Sequence, residues 1–380
     1  MLRWLPCSTR FARLRPSKRE IAMSVPFTII MPCYNAGLYV REALESVLHQ
    51  DYEGDLQLIV VDDCSTDNSL EVISSVLAAY QGPVETLLLR NEVNRGVAAT
   101  VDVAVAHAKY EWIIEADADD VHVPTRCSDT AELISRYPSS RLVILSAINV
   151  DEHGNPYAHT YYCHGGGESI PEEIYLETTE ERALNYAWSG NKPRMSAFAG
   201  CSAFHRSIYS MWGGLAVAPY ERVAQDPVWE LRCVLSAPIV GSRKTACHYR
   251  CHSGNLLNRS RQWDSLQAWK DYEIFHSHYH QFNKRTYEAM LRDVQRAMET
   301  PGLSDWSEIQ LRTVEEMLHR MCYTARMVAG WWNMNVIHRM LWWCVCRSKV
   351  MNNMRPWFRN RLLPFHLACW VRFKLHQRRG

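Results

Sequence analysis

The chain has 380 residues, 47% of them hydrophobic and 22% charged, with a formal net charge of +1. That composition is close to an ordinary globular protein, with enough apolar material for a sizeable core in one large or two modest domains, and it shows no internal repeat or low-complexity tract. The near-neutral total hides an asymmetry. Residues 1–19 carry six basic groups and no acid, and residues 319–380 carry ten Arg, two Lys and no acid, so residues 20–318 hold all 41 acids and sit near −17. An acidic body suits a divalent cation, and a basic end suits an anionic partner.

The thirteen cysteines are odd in number and lack zinc-ribbon spacing, and no secretory segment opens the chain, which points to buried thiols in a reducing compartment. The run Cys247-His248-Tyr249-Arg250-Cys251-His252 fits no common zinc spacing and reads as chance crowding. No stretch of eighteen apolar residues occurs; the nearest, residues 327–346, contains Asn333, Asn335, His338 and Arg339. Residues 1–22 imitate a transit peptide or, more simply, follow an upstream start codon, with Met23 a natural beginning; they are set apart from the fold.

From Val25 the apolar pattern alternates between strand and helix. Strands are expected at 27–31, 56–61, 84–90 and 111–116, and helices at 38–50, 69–80 and 97–108. This β-α-β-α-β-α-β order calls for a mainly parallel sheet with helices on both faces, an α/β fold whose ligands bind beyond the carboxyl ends of the strands. A helix at 125–137 and a strand at 141–148 follow. Residues 151–195 read as a long excursion with one helix at 171–187, followed by a strand at 199–205. Helices are expected at 226–235, 262–298 and 304–327.

Polar groups gather at the four strand ends. Strand one ends in Pro32-Cys33-Tyr34-Asn35-Ala36-Gly37, a tight turn exposing a ring able to cover a base. Strand two ends in Asp62-Asp63-Cys64-Ser65-Thr66-Asp67; helix capping accounts for Ser65 or Asp67, but not for two adjacent acids. After strand three, Arg95 lies at a loop-to-helix junction, where cations and backbone N–H groups hold phosphate. Strand four ends in Asp117-Ala118-Asp119-Asp120, three carboxylates that repel one another unless a cation such as Mg²⁺ or Mn²⁺ joins them.

Taken together, these residues resemble family 2 glycosyltransferases of the GT-A type over about residues 25–255. The match comprises Pro-x-Tyr-Asn at 32–35, Val-Asp-Asp-x-Ser-x-Asp at 61–67, Asn-x-Gly at 94–96 and Asp-Ala-Asp-Asp at 117–120 with Pro124 beyond. Pattern and composition set a helical extension at 261–330 and a basic, Trp-rich tail at 331–380 after a GT-A domain at 23–260, which the resemblance implies. The resemblance also implies a nucleotide-sugar donor, often UDP-linked, and inverting transfer. By motif, Pro32, Tyr34 and Asp63, with Asn35 in the same turn, would hold the uridine, and Arg95 would touch the diphosphate. Asp119, with Asp117 or Asp120, would bind Mn²⁺ or Mg²⁺. The family places an acidic pair near the acceptor; here the first position is Gln225, a departure, and the second is Asp226, the implied general base. His252, in a Tyr-Arg-x-His element, would approach the diphosphate or metal.

Residues 319–380 hold six tryptophans among their twelve cations, a composition suited to an anionic membrane surface and to a lipid-linked acceptor. The whole reading places the chain in the cytoplasm or on the cytoplasmic face of a membrane, with glycan or lipid-linked acceptors and no nucleic-acid partner. Two other enzyme classes on similar sheets are rejected, because residues 32–37 lack both the Gly-x-Gly-x-x-Gly of a dinucleotide oxidoreductase and the Gly-rich Arg/Lys loop of a nucleotidyltransferase. Gln225 alone favours the remaining alternative, a non-catalytic scaffold that binds nucleotide, lipid or a partner.

Overall fold

The structure is a computed structural model and describes residues 24–160, 163–164, 170–187, 194–195, 199–215, 225–252 and 266–332. The N-terminal extension and nearly all of the basic tail lie outside them. In the first half, β1 (Phe27–Cys33), β2 (Leu56–Asp62), β3 (Glu85–Arg90) and β4 (Trp112–Glu115) are linked by α1 (Val40–Leu48), α2 (Ser69–Ala79) and α3 (Val97–Ala106). Next come β5 (Val121–His122), α4 (Arg126–Arg136), β6 (Leu142–Val150), β7 (Pro156–Thr160), β8 (Cys163–His164), β9 (Glu173–Leu176), α5 (Thr179–Ala187) and β10 (Arg194–Met195). A 3-10 turn at Ala199–Cys201 leads to β11 (Ser202–His205), α6 (Arg206–Trp212), α7 (Gln225–Ser236), β12 (Ile239–Arg250), α8 (Leu266–Glu299) and α9 (Glu308–Trp332).

The main sheet runs β3-β2-β1-β4-β11-β6-β12-β5, with β7 on β6 and β9 on β12. Its first four strands are parallel, as the helical crossovers require. β11 then enters antiparallel between β4 and β6, while β12 lies parallel to β6. The α/β expectation therefore holds, with the parallel order confined to the N-terminal half and to the β6–β12 pair.

The side-chain alternation of β1 shows how the sheet is sandwiched. Ile29 and Met31 face a core built with α1, α2 and α4, and Ile30 faces the other core with α3 and α7. That second core continues into α8 and α9 through Met290, Val294, Trp306 and Leu318. Polar anchors accompany the packing. Arg232 of α7 donates through Nε to Asp293 Oδ2 of α8 at 2.8 Å and through a terminal nitrogen to the carbonyl of Gly214 at 2.7 Å. Trp306 Nε1 donates to the carbonyl of Val234 at 3.1 Å, beside the Nε of Arg182 at 3.0 Å. The helix that carries Asp226 is thus held between the sheet and the C-terminal helical pair.

Three local readings are corrected. The helix expected at 171–187 begins as strand β9, whose Ile174 and Tyr175 pair with Gly241 and Val240 of β12, and becomes helical only at Thr179. The strand expected from residue 199 opens with a 3-10 turn. β12, twelve residues long, was not expected at all. Among the described residues no helix is long and apolar enough to cross a membrane.

Candidate active site

The loops after β1, β2 and β3 are tied to one another by side chains read from the sequence as ligand-binding. Asn35 adopts a left-handed backbone (φ +52°), which Asn tolerates, and its Oδ1 accepts from Thr66 N–H at 2.8 Å. Asp67 Oδ2 accepts from Gly37 N–H and Ser69 Oγ donates back toward this cluster, so residues 33–37 and 65–69 form one unit. Asp63 is buried, and both of its oxygens are engaged. Oδ1 accepts from Asn91 Nδ2 and Arg95 N–H, and Oδ2 from Gly96 N–H, all at 2.8 Å. Gly96, at φ +81°, makes the turn into α3 that delivers these two amides. Asp63 and Asn35 thus shape the loops that present Tyr34 (50% exposed), the half-buried Pro32 and the exposed Arg95.

The three acids of the loop after β4 have different partners. Asp120 is buried, and its Oδ1 takes the N–H of Arg250 at 2.8 Å while its Oδ2 faces Cys247 Sγ at 3.8 Å. Asp119 is partly exposed and meets His252 Nε2 through Oδ2 at 3.0 Å. Asp117 takes a backbone N–H from Gly200, and burial, then the charges of Asp119 and Asp226, push its carboxyl up to about 7. Among the described residues no group of three or more His, Cys, Asp or Glu is arranged to hold a metal ion. The pair Asp119–His252 is the arrangement that fits a hard or borderline divalent cation, provided the remaining donors are ligand oxygens.

Asp226, on the first turn of α7, reaches the same strand end. Its charge acts on both Asp117 and Glu115, 109 and 111 residues earlier in the sequence.

Three contributors escaped the sequence reading. Gly200 approaches so closely that a Cβ there would lie 2.6 Å from Asp117 Oδ2. Arg126, on α4 and almost fully buried, donates to the carbonyl of Glu115 at 2.6 Å and supplies the positive charge behind the acids. Glu115 is buried at the end of β4, with Ser202 Oγ 3.3 Å away, and burial, then Asp226 and Asp117, push its carboxyl up to about 8. A glycine and an arginine carry no motif outside these contacts, and Glu115 reads as a strand residue.

Glu115 sets a pH dependence. Its folded-state value lies above the ordinary 4.5, so the stability it contributes is full below that pH and is lost as the pH rises through about 8. Thermal melting in EDTA from pH 5 to 9 is expected to show a midpoint falling with pH, and Glu115→Gln to flatten that fall. Parallel curves for the two proteins would mean that Glu115 is not buried as described.

Residues 28–209 match the family model of glycosyl transferase family 2. The glycosyltransferase GlyG of Streptococcus pneumoniae is 28% identical over 253 residues, 67% of this chain and 79% of that protein. The poly(ribitol-phosphate) beta-N-acetylglucosaminyltransferase TarS of Staphylococcus aureus is 27% identical over 161 residues, 42% of this chain and 24% of TarS. EpsE of Bacillus subtilis is 29% identical over 127 residues, 33% of this chain and 45% of EpsE. The chain thus matches less than half the length of TarS and of EpsE. A crystal structure of TarS residues 1–349 superposes with a TM-score of 0.52 at 16% identity, covering 87% of this chain and 80% of that one.

Proposed function

Because the chain belongs to glycosyl transferase family 2 and has the GT-A fold, we propose that it transfers a sugar from a UDP-linked donor to an acceptor hydroxyl with inversion. TarS has been crystallised with UDP-GlcNAc and with UDP, which supports a uridine donor here. The observation that carries the reading is the meeting of Asp226 with the end of β4, beside the Asp119–His252 pair.

In this reading Tyr34 and Pro32 cover the base, while Asp63 and Asn35 hold their loops in place. Arg95 stands at the start of α3, where its cation and the free N–H groups of the helix receive the diphosphate. Asp119 and His252 would hold Mn²⁺ or Mg²⁺, which when bound supplies positive charge to the departing nucleoside diphosphate. Asp226 takes the proton of the acceptor hydroxyl as that oxygen bonds to the anomeric carbon and the bond from that carbon to the diphosphate oxygen breaks. A single base opposite the leaving group produces inversion. The poly(ribitol-phosphate) substrate in the name of TarS supports a cell-surface glycan as acceptor class. Attachment of residues 331–380 to an anionic membrane surface belongs to the same proposal, as does the division into a transferase domain and a helical extension.

The test is calorimetry of UDP binding to the full chain in Mn²⁺ and in EDTA, alongside Asp119→Ala. Binding that strengthens with Mn²⁺ in the wild type, with the increment lost in Asp119→Ala, is the expected result. An absence of UDP binding under both conditions would overturn the donor assignment. Gln225, where the family carries an acid, favours the second reading of a non-catalytic binding scaffold; it predicts UDP binding without donor turnover.

A further inference from the structure

Arg250, the last residue of β12, has no part in the chemistry just described, yet its buried guanidinium joins three separate segments. Nε donates to the carbonyl of Asp119 at 3.0 Å. One terminal nitrogen donates to the carbonyl of Glu152 at 3.2 Å, in the turn between β6 and β7, and the other to Glu42 Oε2 of α1 at 2.6 Å. The backbone N–H of the same residue holds Asp120 Oδ1. The Tyr39 ring contacts both Arg250, with Cζ 5.1 Å from its centroid, and His252, with ring centroids 4.7 Å apart.

We propose that Arg250 is a positioning residue that fixes the Asp119 carboxylate against the His252 ring in the geometry a divalent cation and a diphosphate require. The inference rests on the donor-site reading above. Its physical basis is the weakness of the loop itself. Backbone pairing of the β4–β5 loop ends with Ala116 N–H on the carbonyl of Ile30 at 2.9 Å, and within the loop Asp120 N–H reaches the carbonyl of Asp117 only at 3.4 Å. The carbonyl of Asp119 and the side chain of Asp120 are both secured by Arg250. Through Glu42 the same side chain holds α1, whose N-cap residue Tyr39 lies against the His252 ring. A guanidinium presents five N–H donors in a rigid plane and spans these acceptors at once, whereas an ammonium is a point charge and cannot. Arg250 therefore acts on both members of the pair through the protein groups it holds.

The experiment uses the full chain and UDP calorimetry in Mn²⁺ and in EDTA, with Arg250→Lys and Glu42→Gln beside the wild type. Arg250→Lys is expected to lose about tenfold or more of the gain in UDP affinity that Mn²⁺ confers, the scale seen when groups that orient metal ligands are removed, while its affinity in EDTA is retained. Glu42→Gln cuts only the more exposed arm and is expected to lose less, in the same direction, with an unchanged melting temperature. An intact Mn²⁺ gain in Arg250→Lys, or a loss equal in Mn²⁺ and EDTA, would overturn the positioning role. If Arg250→Lys does not fold, Glu42→Gln decides, and an undiminished Mn²⁺ gain there overturns it. A wild type whose UDP binding ignores Mn²⁺ would instead refute the metal-assisted donor site, and this inference with it.

Discussion

Asp226→Asn is expected to lower kcat by about a thousandfold, within the range that a positioned general base contributes, and to leave the Kd for UDP unchanged. The amide keeps the size and hydrogen-bonding shape of the side chain but cannot accept the acceptor hydroxyl's proton. Asp226 also lies close enough to Glu115 and Asp117 for its charge to raise both carboxyls. The substitution removes that charge, so both groups should ionise more readily and nucleotide binding in Mn²⁺ should not suffer. Donor turnover followed by UDP release, together with calorimetry, separates the two effects. Turnover within a few-fold of the wild type would remove Asp226 from the proton transfer, and a parallel loss of UDP binding would make its role structural.

Arg232→Met is expected to destabilise the fold by about 3–5 kcal/mol, because it strands the Asp293 carboxylate as an unpaired buried charge. Both side chains are under one-tenth exposed, at 4% and 8%, so water cannot take over the lost contact. The carbonyl of Gly214 also loses its 2.7 Å donor. The double variant Arg232→Met/Asp293→Leu should recover most of the loss, since an apolar pair of similar volume needs no counter-charge. Urea unfolding of the wild type and the two variants measures this. A single variant as stable as the wild type would show that the α7–α8 pair is solvated, and no recovery in the double variant would locate its importance in the Gly214 contact.

The N-terminal half was legible because each β-α unit repeats one pattern. Buried parallel strands read as unbroken apolar runs, and α1 shows Val40, Ala43, Leu44, Val47 and Leu48 at helical spacing, all of them buried. The strand ends followed from the rule that ligands sit beyond the carboxyl edge of such a sheet. β12 was missed because Arg243 and Lys244 interrupt it, and because its pairing with β6 shifts register between Gly241 and Thr245 and again before Cys247, so no two-residue period survives. β9 was taken for the start of a helix because Pro171 and two glutamates precede α5 and resemble a helix entry. Within the site, the positions of Tyr34, Arg95 and Asp119 followed from the motifs. The division of labour did not, because only the fold shows that Asp63 is occupied by the amides of residues 95 and 96 and that Asp120 faces Arg250.

The antiparallel entry of β11 between β4 and β6 carries a consequence for the order in which the protein can be made. Until residue 205 has left the ribosome, the parallel quartet ends in β4 with its outer row of backbone groups unpaired, and β6 has no neighbour to bridge the gap. An open edge of that kind is a template for other strands. The same short segment brings Gly200 against Asp117, so closing the sheet also places Asp117, while Asp119 and Asp120 wait for Arg250 and His252.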